Sequence, residues 1–102
     1  MHKISSPSDY FSRFISDLQL PPNISLQVEH LWNVLKPHVD LWQGKKPMGV
    51  AAALIYKAAS KSGHKRTQSE ICKVAKVSEV TLRQLNRIVD DVLKSESQGD
   101  MN

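Results

Sequence analysis

Cysteine is nearly absent from the 102 residues, and its single copy, Cys72, excludes an internal disulfide and fits a reducing compartment. Beside Ile71 in a helical pattern, Cys72 reads as a small core residue. Glycine occurs four times and never clusters, which excludes the glycine-rich loops that cradle phosphates. The four histidines, His2, His30, His38 and His64, share no metal-ligand spacing with one another or with Cys72, so no metal and no cofactor is expected. No apolar run approaches the ~20 residues that cross a bilayer. The polar opening from His2 to Asp9 is unlike a signal peptide, and no membrane partner is expected. Asp90 and Asp91 form an adjacent carboxylate pair, but neighbours on a helix point about 100° apart, and the pair reads as a solvated helix end. Cys72 has no evident base partner. Nothing assembles a catalytic set, and the chain is not expected to be an enzyme.

What is present is the material of one soluble domain, 40% apolar and 24% charged. The net charge of +4 is unevenly placed. Residues 1–42 carry a net −1, residues 43–94 a net +7 from eleven lysines and arginines against four acids, and residues 95–102 a net −2. A polyanionic partner for the second half follows from that asymmetry.

Helical periodicity runs through the chain, with no convincing strand. After a disordered lead at residues 1–6, a helix is expected from Pro7 or Ser8 to about Gln19, with Tyr10, Phe11, Phe14, Ile15 and Leu18 on its apolar face, stopped by Pro21-Pro22. A second helix starts near Asn23 or Ser25 and carries the stripe Ile24, Val28, Leu31, Leu35 and Val39, widened by Trp32. Pro37 should break it near Lys36, leaving His38 to Trp42 as a separate turn with Trp42 as a local plug. The loop Gln43 to Lys46 leads to a third helix from Pro47 to Ser62. Its run MGVAAALIYKAAS is apolar nearly all round and predicts the hub of a bundle.

The basic half ends in KRTQSEICKVAKVSEVTLRQLNRIVDDVL, residues 65–93. Thr67 and Glu70 have capping-box spacing, and Ser78 with Glu79 can start a second helix after the turn Ala75-Lys76-Val77. The layout is a helix-turn-helix. Leu82, Leu85, Val89, Val92 and Leu93 form the inner stripe of the second helix. Val80, Arg83, Gln84 and Arg87 fall on another side, where arginine and glutamine forks match guanine and adenine edges and valine suits a thymine methyl. Spacing alone does not separate that reading from an ordinary solvated face.

Three stretches carry a family likeness: DYFSRFISDLQLP, GKKPMGVAAALIYKAAS and KRTQSEICKVAKVSEVTLRQLNRI. From Ser8 to Val89 the chain resembles the second cyclin-like repeat of transcription factor IIB and its archaeal counterparts. The resemblance implies an all-α, five-helix cyclin-like bundle over residues 7–94, ending in a helix-turn-helix and followed by a flexible tail at 95–102. It implies a domain of a longer initiation factor that binds promoter DNA upstream of the TATA box beside the TATA-binding protein and helps recruit the RNA polymerase machinery. Such a factor works in the nucleus, or in the cytoplasm and nucleoid of an archaeon. By the same likeness Val80, Thr81, Arg83 and Gln84 would read bases, and Lys65, Arg66, Gln68 and Arg87 would hold phosphates.

Departures from the family pattern mark a divergent relative. Lys76 stands where the family usually has glycine, Asn86 replaces a usual aromatic, and Asp90-Asp91 puts negative charge late in the second helix. They motivate an alternative, a cyclin-fold protein-interaction module with little base reading. Its partners would be the TATA-binding protein, a polymerase-associated factor or a second copy, anchored by Trp32 and Trp42.

Overall fold

Serine and proline set the first boundary. The Ser6 side chain accepts from the Ser8 amide, the Asp9 carboxylate accepts from the Ser6 amide at 2.9 Å, and Pro7–Tyr10 winds as a 3-10 turn into α1, Phe11–Asp17. The computed structural model describes residues 6–100, with side chains as far as Ser95. Apart from Ser6, the lead expected at residues 1–6 therefore lies outside the described residues. α1 ends two residues before Gln19: Gln19 takes the left-handed conformation at φ 56°, and the Leu20 amide returns to the Ile15 carbonyl at 3.0 Å. Pro21 and Pro22 then direct the chain into α2, Ile24–Leu35, which buries Ile24, Val28, Leu31, Trp32 and Leu35.

The break at Lys36 falls where Pro37 predicts it, and a one-turn helix, α3, Val39–Trp42, follows. Six α-helices and no strand are therefore found among the described residues, against the five expected, because the separate turn is itself helical. Val39 is a second correction. The change of direction after Pro37 takes it off the α2 stripe, and it stands 42% exposed beside an equally uncovered Leu41. Trp42 is held locally, edge-on to Trp32 with ring centroids 5.1 Å apart, and its Nε1 donates to the Lys36 carbonyl at 3.2 Å.

α4, Pro47–Lys61, is the hub that its composition predicts. Residues 49–55 together with Ala58 and Ala59 are all buried, and α4 touches the opening turn, α1, α2, α5 and α6. Small side chains allow this, since helix axes approach only as closely as their side chains permit. Gly49 marks a close crossing with α6: a Cβ there would lie 2.8 Å from Leu85 Cδ1. Gly63, at φ 80°, closes the far end, with the His64 amide returning to the Ala59 carbonyl at 2.9 Å.

α5, Gln68–Ala75, begins with the full capping box: Thr67 Oγ1 accepts from the Glu70 amide at 3.1 Å, and Glu70 accepts from the Thr67 amide at 3.0 Å. The Thr67 amide, and after it the Thr67 hydroxyl donating to Glu70 Oε1 at 3.1 Å, hold the Glu70 carboxyl below its usual range, and the nearby Arg66 charge adds to the effect. α6, Glu79–Asp100, follows after three residues, and its helical backbone continues through residues 95–100.

The turn between α5 and α6 pivots on Lys76 at φ 60°, ψ 45°. Its amide and that of Val77 both return to the Cys72 carbonyl, at 2.7 and 3.2 Å. Lysine thus adopts the conformation in which glycine is free of its Cβ penalty, at a cost of about 1 kcal/mol. Lys76→Gly is expected to raise stability by about 0.5–1 kcal/mol, or roughly 3–6 °C in melting temperature for a domain of this size. Lys76→Ala, which keeps the Cβ, should not. A calorimetric scan of both variants decides it, and equal melting temperatures would mean that the turn is unstrained.

Candidate nucleic-acid interface

The first turn of α6 is fixed by Ser78, whose Oγ accepts from the Thr81 amide at 3.1 Å and donates to Thr81 Oγ1 at 2.9 Å. From there the helix separates its faces as the spacing predicts. Leu82, Leu85, Val89 and Val92 are buried against the bundle, and Leu93 is half-buried. Val80 is 58% exposed, an uncovered apolar side chain on a charged surface, and Arg83, Gln84 and Arg87 stand exposed on the same side. Those three line a groove of about 400 Å³.

Arg83 and Arg87 form a ridge. On its other side lies a polar cleft of about 410 Å³ that also takes in Tyr56, Lys57, Gln68, Asn86, Asp90 and Asp91. Lys57 makes an ion pair with Asp90 across this cleft, so one of the two late carboxylates of α6 is neutralised by the hub. Cys72 of α5 is buried. Burial pushes its thiol up, the Glu79 charge adds to the shift, and the Arg83 charge opposes it.

The residues singled out in the sequence are not all brought together. Val80, Arg83, Gln84 and Arg87 share one exposed side. Thr81 differs: it is half-buried, its hydroxyl is engaged by Ser78, and its methyl group lies toward Gly49. Gln68 and Arg87 meet in the polar cleft, whereas Lys65 and Arg66 line a separate depression of about 500 Å³ with the end of α1 and Lys73. Lys65 is exposed. Arg66 is occupied by backbone carbonyls. Its Nε donates to Leu18 at 3.2 Å, its Nη2 to Gln19 at 3.3 Å, and its Nη1 to His64 and Lys65 at 3.1 and 3.5 Å.

Two residues escaped the sequence reading. Lys45 and Lys46 are exposed in the loop that enters α4, four and three residues before Gly49, which packs against Thr81 and Leu85 of α6. Nothing in periodicity relates that loop to a helix more than thirty residues away; the small residue at position 49 was the available clue. Among the described residues no group of three or more His, Cys, Asp or Glu could hold a metal ion, and no helix is long and apolar enough to cross a membrane.

Residues 1–90 match the family model described as the transcription factor TFIIB repeat. The chain is 42% identical over 81 residues to transcription initiation factor IIB of Homo sapiens, an alignment covering 79% of this chain and 25% of that protein. Transcription initiation factor IIB of Methanopyrus kandleri is 41% identical over 81 residues, covering 79% and 26%. Transcription initiation factor IIB 2 of Halobacterium salinarum is 41% identical over 80 residues, covering 78% and 24%. The chain thus spans about a quarter of the length of these relatives, all of them named as initiation factors rather than enzymes. With an all-helical architecture consistent with a cyclin-like repeat, and with a family match that runs from the first residue into α6, the chain belongs to the transcription factor IIB family.

Proposed function

We propose that this chain is a DNA-binding, cyclin-like domain of an initiation factor, in which α5, the Lys76 turn and α6 act as a helix-turn-helix and α6 enters the major groove upstream of a TATA box. The observation that carries the reading is the exposed side of α6, where uncovered Val80 stands with Arg83, Gln84 and Arg87 at the start of a helix in the basic half of the chain. Side chains near the start of such a helix are the ones that reach base edges. Val80 would meet a thymine methyl, while Arg83 and Gln84 would read purine edges. Thr81, with its hydroxyl in the Ser78 cap, contributes chiefly by fixing the first turn. Lys65, Gln68 and Arg87 would hold phosphates, joined by Lys45 and Lys46. Arg66 serves by placing the loop that carries Lys65.

In this reading the domain works with the TATA-binding protein and the RNA polymerase machinery, in a nucleus or an archaeal nucleoid. The rival, a protein-interaction module anchored by exposed indoles, is not supported by the tryptophans. Trp32 is buried, and Trp42 packs against it.

The test is a mobility-shift titration on promoter duplexes and their scrambled counterparts, with and without the TATA-binding protein, at two salt concentrations. Preference for the intact upstream element, stronger in the ternary assembly and weakening steeply with salt, is expected. Equal binding to intact and scrambled elements under all conditions would overturn the reading.

A further inference from the structure

Asn86 is the one buried polar residue among the described side chains, 9% exposed, and its Oδ1 has no hydrogen-bond partner there. Buried acceptors are nearly always satisfied, so an orphan in a native fold calls for a reason. Asn86 lies on α6 three residues after Arg83, about 60° away around the helix, and the two line the same polar cleft. The other charged groups lining that cleft are directed elsewhere on the helix or paired. Asp90 is held by Lys57, Asp91 lies five residues beyond Asn86, about 140° around the helix from it and at i, i+4 spacing from Arg87, and Arg87 is the next residue after Asn86, about 100° away from it. Arg83 lines the outer groove as well as the cleft, so its side chain forms part of the ridge between them.

We propose that Asn86 is a positioning residue for Arg83: its orphan carbonyl oxygen accepts an N–H from the Arg83 guanidinium when that guanidinium engages a base edge. Guanidinium carries five N–H donors in a rigid fork, and a bidentate contact to guanine O6 and N7 uses two of them. A third can be donated inward to Asn86 without disturbing the outer pair. The result is a base reader fixed from behind, with less rotamer freedom to lose on binding. The inference rests on the DNA-reading function proposed above.

The test uses the 102-residue chain and a duplex that the wild type selects from a randomised pool. Binding is titrated on that duplex and on its single-base variants. Asn86→Leu, of similar shape and without polar atoms, is expected to melt at a higher temperature, since it removes a buried orphan. It should nonetheless lose roughly three- to ten-fold of discrimination at the base that Arg83 reads, the equivalent of one net hydrogen bond. In an Arg83→Ala background the same change should lose nothing further, which a purely structural role would not produce. Asn86→Asp, which keeps the acceptor, should retain the discrimination even where leucine disturbs the packing. Selectivity unchanged in Asn86→Leu, or the same loss with and without Arg83, overturns the positioning role alone. Failure of the wild type to select any sequence overturns the DNA reading, and this inference with it.

Discussion

Arg66→Ala is expected to destabilise the domain by about 2 kcal/mol and to leave the salt dependence of DNA binding unchanged. The Leu18 and Gln19 carbonyls that Arg66 holds belong to the closing turn of α1, where unpaired carbonyls and the negative end of the helix dipole collect. A guanidinium is suited to that end, and it ties α1 to the loop before α5 across nearly fifty positions of sequence. Hydrogen bonds to a charged group contribute about 1.5–3 kcal/mol each when buried. This side chain is only half-buried, so the four together are discounted to about 2 kcal/mol. The melting temperature should fall by roughly 10 °C for a domain of this length. Arg66→Lys keeps the charge but not the fork, and most of the loss should remain.

The DNA readout separates this role from the one the sequence suggests. A residue that neutralises one phosphate contributes about 0.9 to the slope of log affinity against log salt. Lys65→Ala should flatten that slope by about one unit and leave the melting temperature nearly unchanged, whereas Arg66→Ala should do the reverse. If Arg66→Ala flattens the slope and melts like the wild type, Arg66 is a phosphate ligand and the clamp is incidental.

The contrast between Arg66 and Lys65 shows where sequence reading reaches and where it stops. Caps, breaks and faces are encoded within a few residues. Thr67 with Glu70, Pro37, Pro47 and the small-residue run after Gly49 therefore locate the helices and the hub from local sequence alone. Lys76 stands out only through the resemblance, because it occupies a place where the family usually has glycine. Tertiary partners carry no such local mark. Nothing near Arg66 reveals that Leu18 and Gln19 will sit beside it, and nothing near Asp90 reveals Lys57. Four candidate phosphate ligands thus looked like one set in sequence and fell on two sides of α5 in the fold. Val39 was misplaced for a related reason: periodicity counted across Pro37 assumes a helix axis that the proline ends.

Arg83→Ala is expected to cost about 1–3 kcal/mol of discrimination at a single base position, a factor of roughly 5 to 150, while affinity for scrambled DNA falls only as one lost charge requires. The argument begins with position. Arg83 is the fifth residue of α6, exposed, on the ridge beside Gln84 and three residues after Val80, whose uncovered side chain has no evident use in the fold. Of the two carboxylates lining the cleft with the arginines, Asp90 is held by Lys57 and Asp91 stands at i, i+4 spacing from Arg87 and eight residues from Arg83, which leaves the Arg83 fork available for an external acceptor pair. Arg83→Lys sharpens the test, because lysine keeps the charge but cannot span O6 and N7 of one guanine. Lysine should therefore restore the salt slope and the scrambled-DNA affinity without restoring the base preference. Equal losses on selected and scrambled duplexes for alanine, fully repaired by lysine, would make Arg83 a phosphate contact and leave base reading to Val80 and Gln84.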